Sequence, residues 1–490
     1  MHRTHDLPVF CSRSMGRRLH AMPFAFYDLE TTGTSPAYDQ PLQFAAILTD
    51  DDLRPLERVN MRCRLAPHIL PSPGALAITG IQVDQLTDPA LPSWFEMMKE
   101  IQDLVAAWAP ATWTGYNSMS FDENFLRQSF YQTLQPDVFA TQFNGNTRLD
   151  VLQVLYAAHS RAPESLTWPV DDAGNAVFRL DALAPANGLR DHDAHDALGD
   201  VEATRHLLEL VRRRAADLFK DILANRDKTH VDELLASGEP LEFVTRPPGA
   251  PPHGIVGCSC GRDAESANAA AFFDVRVEDP VECFGLDQAG LVDLLERSPR
   301  VVHRLKINET PMLFHSRAAD GTVRERCREI ADRPDFSRRV GAAMAELMVQ
   351  RYPPPSPGES VRVEERIYDG FYGREDKQLL RSLNMADDWQ ARLSVVEQFG
   401  DARLQQLGRR AAVLMAPEIM PAAAVASAAR NILARWRGAE ASPRGWATLS
   451  AVHAQIDRLL QEGRIDDGRA GEIRNFYEAR VRTLEANQMP

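Results

Sequence analysis

The chain predicts an α/β protein: a first domain on a mixed sheet, then a small β-barrel domain, then an all-helical C-terminal domain. Three observations carry this. Short buried strands come first and are followed by amphipathic helices alternating with strands, the pattern of a mixed-sheet α/β domain. Next come short β-rich runs separated by polar and helical stretches, which suit a small barrel. Beyond RYPPPSPGES (351–360) nearly every segment has helical spacing.

From Pro23, FAFYDLE is aromatic-rich, short and ended by the turn former TTGTSP, so it reads as a buried strand. QFAAILTDDDLRPLERVNMRCRLA continues as two strands joined by an Asp-rich turn. PGALAITGIQVDQL reads as a loop and a helix start. PSWFEMMKEIQDLVAAWA is a helix stopped at Pro110, and ATWTGYNS is a strand entering a turn. FDENFLRQSFYQTL, LDVLQVLYAAHS, RLDALAPANG and AHDALGDVEATRHLLELVRRRA supply four more helices. DLFKDILANRDKTHVDELLASG is a helical connector, and RPPGAPPHG a Pro/Gly loop. HGIVGCSC, AAFFDVRV and HRLKINETPMLF are the β-rich runs. The implied units are 1–22 (a basic extension, disordered or upstream of the true start), 23–213, 214–357 and 358–490.

A length of 490 residues exceeds one ordinary core. Hydrophobic content of 44% with 25% charged residues is that of a soluble globular chain, and no stretch reaches the length of a membrane span. Six cysteines make no disulfide framework, and Cys258–Ser–Cys260 lacks the spacing of a zinc site. Reduced thiols in the cytoplasm are expected. The net charge of −14 argues against indiscriminate coating of duplex DNA.

The informative residues are acidic. Asp28 and Glu30 stand at i and i+2 on the first strand and so share one face. Asp122 opens a helix, Asp200 lies within another, and His195 comes five residues before Asp200, on the turn leading in. Each alone is unremarkable: D-x-E on a strand is common, and an Asp at a helix start is usually a cap. Together they predict carboxylates crowded enough to need divalent cations, which suits two-metal phosphoryl chemistry. Asp28 would be shared by both ions, Glu30 and Asp200 would complete the first, and Asp122 would serve the second. His195 would accept a proton from the attacking water.

These segments resemble the three motifs of the DEDD exonuclease superfamily in its histidine-bearing branch. The resemblance extends to bacterial exodeoxyribonuclease I through RLDVLQVL, TWPVDDAGNAVFRLDALAPANGL, AHDALGDVEAT, LFKDILANRDKTH, LKINETPMLF and IYDGFYGRED. It implies a ribonuclease H-like exonuclease domain, a Src-homology-like barrel and a helical domain. It implies a monomeric enzyme of DNA repair that releases mononucleotides processively from the 3′ end of single-stranded DNA, with Mg2+ (Mn2+ substituting). It carries over Asp28, Glu30, Asp122 and Asp200 as the metal site, His195 as general base, and Glu30, Arg127, Phe178 and Arg179 as strand contacts. It also implies docking of the tail of single-stranded-DNA-binding protein. Pro136–Asn146 departs from the family by keeping only Phe139 and Phe143 as aromatics. Two other readings stand beside this one: a 3′→5′ exoribonuclease of the same superfamily, and a non-catalytic strand-binding adaptor.

Overall fold

The computed structural model describes residues 22–189, 196–247, 249–354, 361–438 and 445–489. Its first sheet holds β1 (Phe24–Thr31), β2 (Pro41–Thr49), β3 (Pro55–Arg62), β4 (Thr112–Gly115) and β5 (Thr147–Asp150). Their order is β3-β2-β1-β4-β5. β1 is central, antiparallel to β2 and parallel to β4, so the sheet is mixed as expected. The alternation along β1 decides everything that follows. Ala25, Tyr27 and Leu29 enter one core, and Phe24 and Phe26 enter the other. Asp28 and Glu30 continue the second face.

That second face is covered by helices Val151–Arg161 and Ala197–Arg214, whose Leu155, Val201, Leu208 and Val211 are buried. The four-residue β5, TRLD, is too short to show a strand period and was not expected. β4 ends against β1: a Cβ on Gly115 would lie 2.7 Å from the Tyr27 carbonyl oxygen. Only glycine permits that approach, and it sets the turn leading to helix Asp122–Gln132.

The second sheet is antiparallel: β6 (Leu241–Thr245), β7 (His253–Arg262), β8 (Ala269–Asp274), β9 (Val302–Lys306) and β10 (Leu313–His315). Its order is β10-β6-β7-β8-β9, and β9 and β10 form opposite edges. The expected barrel is therefore an open sheet. Helices rather than closure cover its faces. Val231 and Leu235 of Lys228–Ala236 pack on one, and Leu291, Leu294, Phe336 and Val340 of Gln288–Glu296 and Pro334–Arg351 on the other.

The C-terminal region is helical, with Arg374–Met385, Trp389–Val396, Ala402–Met415, Ala422–Trp436, Leu449–Gln461 and Asp467–Glu485. It builds no separate core. Leu414, Ile432, Trp436, Ile456, Ile473 and Tyr477 pack in one cluster with Tyr27, Phe44, Ile101 and Trp113 of the first domain. The Tyr477 hydroxyl donates to the Pro71 carbonyl at 2.7 Å, and buried Arg480 donates to that of Pro67 at 2.8 Å. No helix among the described residues is long and apolar enough to cross a membrane.

Candidate active site

Three of the four predicted carboxylates converge tightly. One oxygen each from Asp28, Glu30 and Asp200 lies within 4.8 Å of the others. The strand places the first two, and the first turn of helix Ala197–Arg214 places Asp200 above them. The positive end of that helix also favours an anionic group there. Asp122 is the first residue of helix Asp122–Gln132 and is 3% exposed. Its Oδ1 accepts the Leu29 backbone N–H at 3.2 Å, which ties it to β1 between Asp28 and Glu30. It stands beside the cluster of three rather than within it. His195 lies outside the described residues.

The charges are mutually unfavourable. Burial, then the charges of Asp122, Glu30 and Asp200, push the Asp28 carboxyl well above the usual range. Burial, then Asp200, Asp122 and Asp196, push Glu30 up to about 8, although Arg62 pulls it down. Asp122 is raised by burial and by Asp150, against the pull of backbone amides. Asp196, absent from the sequence reading, adds a fifth negative neighbour. It is held by Gln43 at 2.9 Å and Arg62 at 3.2 Å. Hard oxygen donors this close, their carboxyls raised by burial and then by mutual repulsion, fit a divalent cation, whose charge would restore the ionised forms.

A buried scaffold holds the acids. Glu123, next to Asp122, accepts from the Tyr27 hydroxyl at 3.1 Å and from Thr141 at 3.1 Å. It pairs with Arg127 at 2.9 Å and Arg148 at 3.3 Å. Burial pushes its carboxyl up, but the two guanidiniums outweigh this and hold it below the ordinary value. Arg148 also donates to the Asn308 carbonyl at 3.1 Å, joining the site to the loop between β9 and β10. Asp150 caps helix Val151–Arg161 and accepts the backbone N–H groups of Asn117 and Met119 at 3.0 and 3.1 Å, fixing the turn before Asp122. An Asp directly before an apolar helical run was the available signal for that cap. The one local mark of Glu123 is Arg127 four residues on, a common surface-helix pattern; its Arg148 partner is 25 positions away.

The expected strand contacts separate. Arg179 is on the surface, its side chain 76% exposed and, among the described residues, paired with Asp181 at 3.2 Å. Arg127 is largely buried in its pair with Glu123, so its charge serves the scaffold. Phe178 is 5% exposed. Its ring meets Tyr156, His159 and Trp168 at centroid distances of 5.0 to 5.5 Å, with the Arg246 guanidinium 5.0 Å above it. Its faces are filled by protein, so the expected base-stacking residue is a core aromatic. Three further arginines are also engaged within the protein: Arg226 donates to Thr112, Arg409 pairs with Glu397 and Arg410 with Glu364. Cys258 and Cys260 are buried free thiols.

Comparison with known proteins agrees with this geometry. The residue pattern of the exonuclease family matches residues 25–208. Exodeoxyribonuclease I of Escherichia coli (strain K12) is 29% identical over 396 residues, spanning 73% of this chain and 78% of that protein. A crystal structure of E. coli exonuclease I with a dT13 oligonucleotide is 26% identical, with a TM-score of 0.75, and covers 94% of this chain and 99% of its own. A solved complex of SSB and exonuclease I with the inhibitor CFAM is 25% identical, with a TM-score of 0.77, and covers 94% and 100%.

Proposed function

The chain is similar to bacterial exodeoxyribonuclease I along most of its length, and from that likeness we propose that it degrades single-stranded DNA from the 3′ end, releasing nucleoside 5′-monophosphates. The observation that carries this is the convergence of Asp28, Glu30 and Asp200, with Asp122 alongside, in an exonuclease domain. Asp28, Glu30 and Asp200 would hold one Mg2+, and Asp122 with Asp28 a second. When bound, the ions supply Lewis-acid stabilisation of charge on the scissile phosphate. His195, by its place before Asp200, accepts the proton of the attacking water. Water adds to phosphorus, the bond to the 3′ oxygen of the preceding nucleotide breaks, and that oxygen takes a proton. The scaffold of Glu123, Arg148 and Asp150 keeps the acids from spreading apart, which preserves the spacing on which catalysis depends.

The remaining assignments follow from the same reading. The carboxyl-terminal tail of single-stranded-DNA-binding protein is the partner, as the SSB complex of the relative suggests. Free buried Cys63, Cys258, Cys260, Cys283 and Cys327 support a reducing, cytoplasmic setting. The deciding experiment is digestion of labelled single-stranded DNA, duplex DNA and matched RNA with Mg2+ or chelator. Mononucleotides from single-stranded DNA only, and only with the ion, are expected. Equal or faster digestion of RNA, or strand binding with no product, would reject the proposal.

A further inference from the structure

Resting on the single-strand reading, we propose that a cleft between Phe139, Phe143 and Phe371 is a base-stacking subsite for the strand ahead of the scissile linkage, with Lys377 meeting its phosphates. The cleft has a volume of about 560 Å³ and is also lined by Ile367 and Tyr372. Phe143 is 56% and Phe371 79% exposed, an arrangement that folding alone does not favour for phenylalanine. Phe139 lies edge-to-face with both, at centroid distances of 6.3 and 6.2 Å. Each exposed ring therefore keeps a free face, and aromatic faces bind unpaired bases without regard to sequence.

The position suits the substrate. The cleft is tied to the helix that begins with Asp122. Arg127, five residues along that helix and so about 7.5 Å further by rise, holds its guanidinium 5.6 Å from the Phe139 ring. The segment carrying Phe371 is pinned to the same helix, where the Tyr131 hydroxyl donates to the Val363 carbonyl at 2.7 Å and Gln128 donates to that of Glu364. Asp137, also in the lining, would repel phosphate, while exposed Lys377 gives the backbone a cation. An acidic peptide would meet a single lysine and a carboxylate in the same lining, a poorer match.

The test measures binding of a single-stranded oligonucleotide in chelator by fluorescence anisotropy. It uses the full chain and the variants Phe143→Ala, Phe371→Ala and Phe371→Trp. Each alanine variant is expected to raise Kd roughly 5- to 100-fold, and Phe371→Trp to restore it. An oligonucleotide with a run of abasic positions should bind the wild type weakly and lose little more with the alanine variants. Alanine variants that bind like the wild type, or that weaken intact and abasic strands equally, overturn the subsite. Wild-type protein that releases no mononucleotide from any strand with Mg2+ defeats the underlying reading instead, and is scored separately.

Discussion

Replacing Glu30 by glutamine should stabilise the metal-free protein, and increasingly so as pH rises. The Glu30 carboxyl is raised from 4.5 to about 8 by burial and by Asp200, Asp122 and Asp196. The folded state therefore holds a proton that the unfolded chain has already released between those values. Wild-type stability in chelator must then fall as pH climbs through that window. At about 1.4 kcal/mol per unit the full penalty by pH 9 would be about 4–5 kcal/mol, and partial exposure of the side chain reduces it to about 1–3 kcal/mol. Urea unfolding in chelator at pH 5, 7 and 9 reads this directly. The two proteins should match at pH 5 and diverge by pH 9, with Glu30→Gln the more stable. Adding Mg2+ should reverse the order, because the wild type gains binding free energy that the variant forfeits. A variant no more stable than the wild type at pH 9, or a gap that does not widen with pH, would refute the account of the acidic cluster.

Other outcomes follow from the same geometry. Asp28→Ala and Asp200→Ala should each abolish Mg2+-dependent nucleotide release while strand binding in chelator survives; retained turnover in either would contradict the site. Glu123→Gln should cost about 3–5 kcal/mol by leaving Arg127 and Arg148 buried without their counter-charge, read as a lower melting temperature. Phe178→Ala should cost a similar about 3–5 kcal/mol as a core truncation yet leave strand affinity unchanged; an unchanged melting temperature with weakened binding would return it to the strand. Burial pushes the Glu364 carboxyl up, but Arg410 and Arg435, at 2.7 and 3.1 Å, overcome this and hold it at about 2. Its contribution is complete above about pH 4.5 and disappears as acid approaches pH 2. Glu364→Gln should accordingly flatten the acid limb of a stability profile between those values.

The sequence made the acids legible because each sits on a recognisable element: two positions apart on a strand, at a helix start, within a helix. Their meeting depends on topology, which the mixed sheet supplies by setting β1 beside β4 and under helix Ala197–Arg214. Asp196 was missed because its partners are distant in sequence, and Glu123 because an i,i+4 arginine alone does not mark a buried brace whose second guanidinium is Arg148. Phe178 misled because an aromatic ring suits a base and a core equally, and only neighbours such as Trp168 decide between them. The barrel was an overreach of the same kind. Short strands announce a small sheet, but whether its edges join depends on what covers its faces.

The cluster that unites Tyr27 and Trp113 with Trp436 and Tyr477 has a practical corollary. The catalytic half of this molecule cannot be harvested by cutting the gene after residue 214. Such a fragment would bare Phe95, Tyr131 and Leu134, which pack against Val363, Leu380 and Leu407, together with the stretch 67–71 that Arg480 and Tyr477 hold. It should precipitate or melt before it could be assayed, so silence from it would say nothing about chemistry.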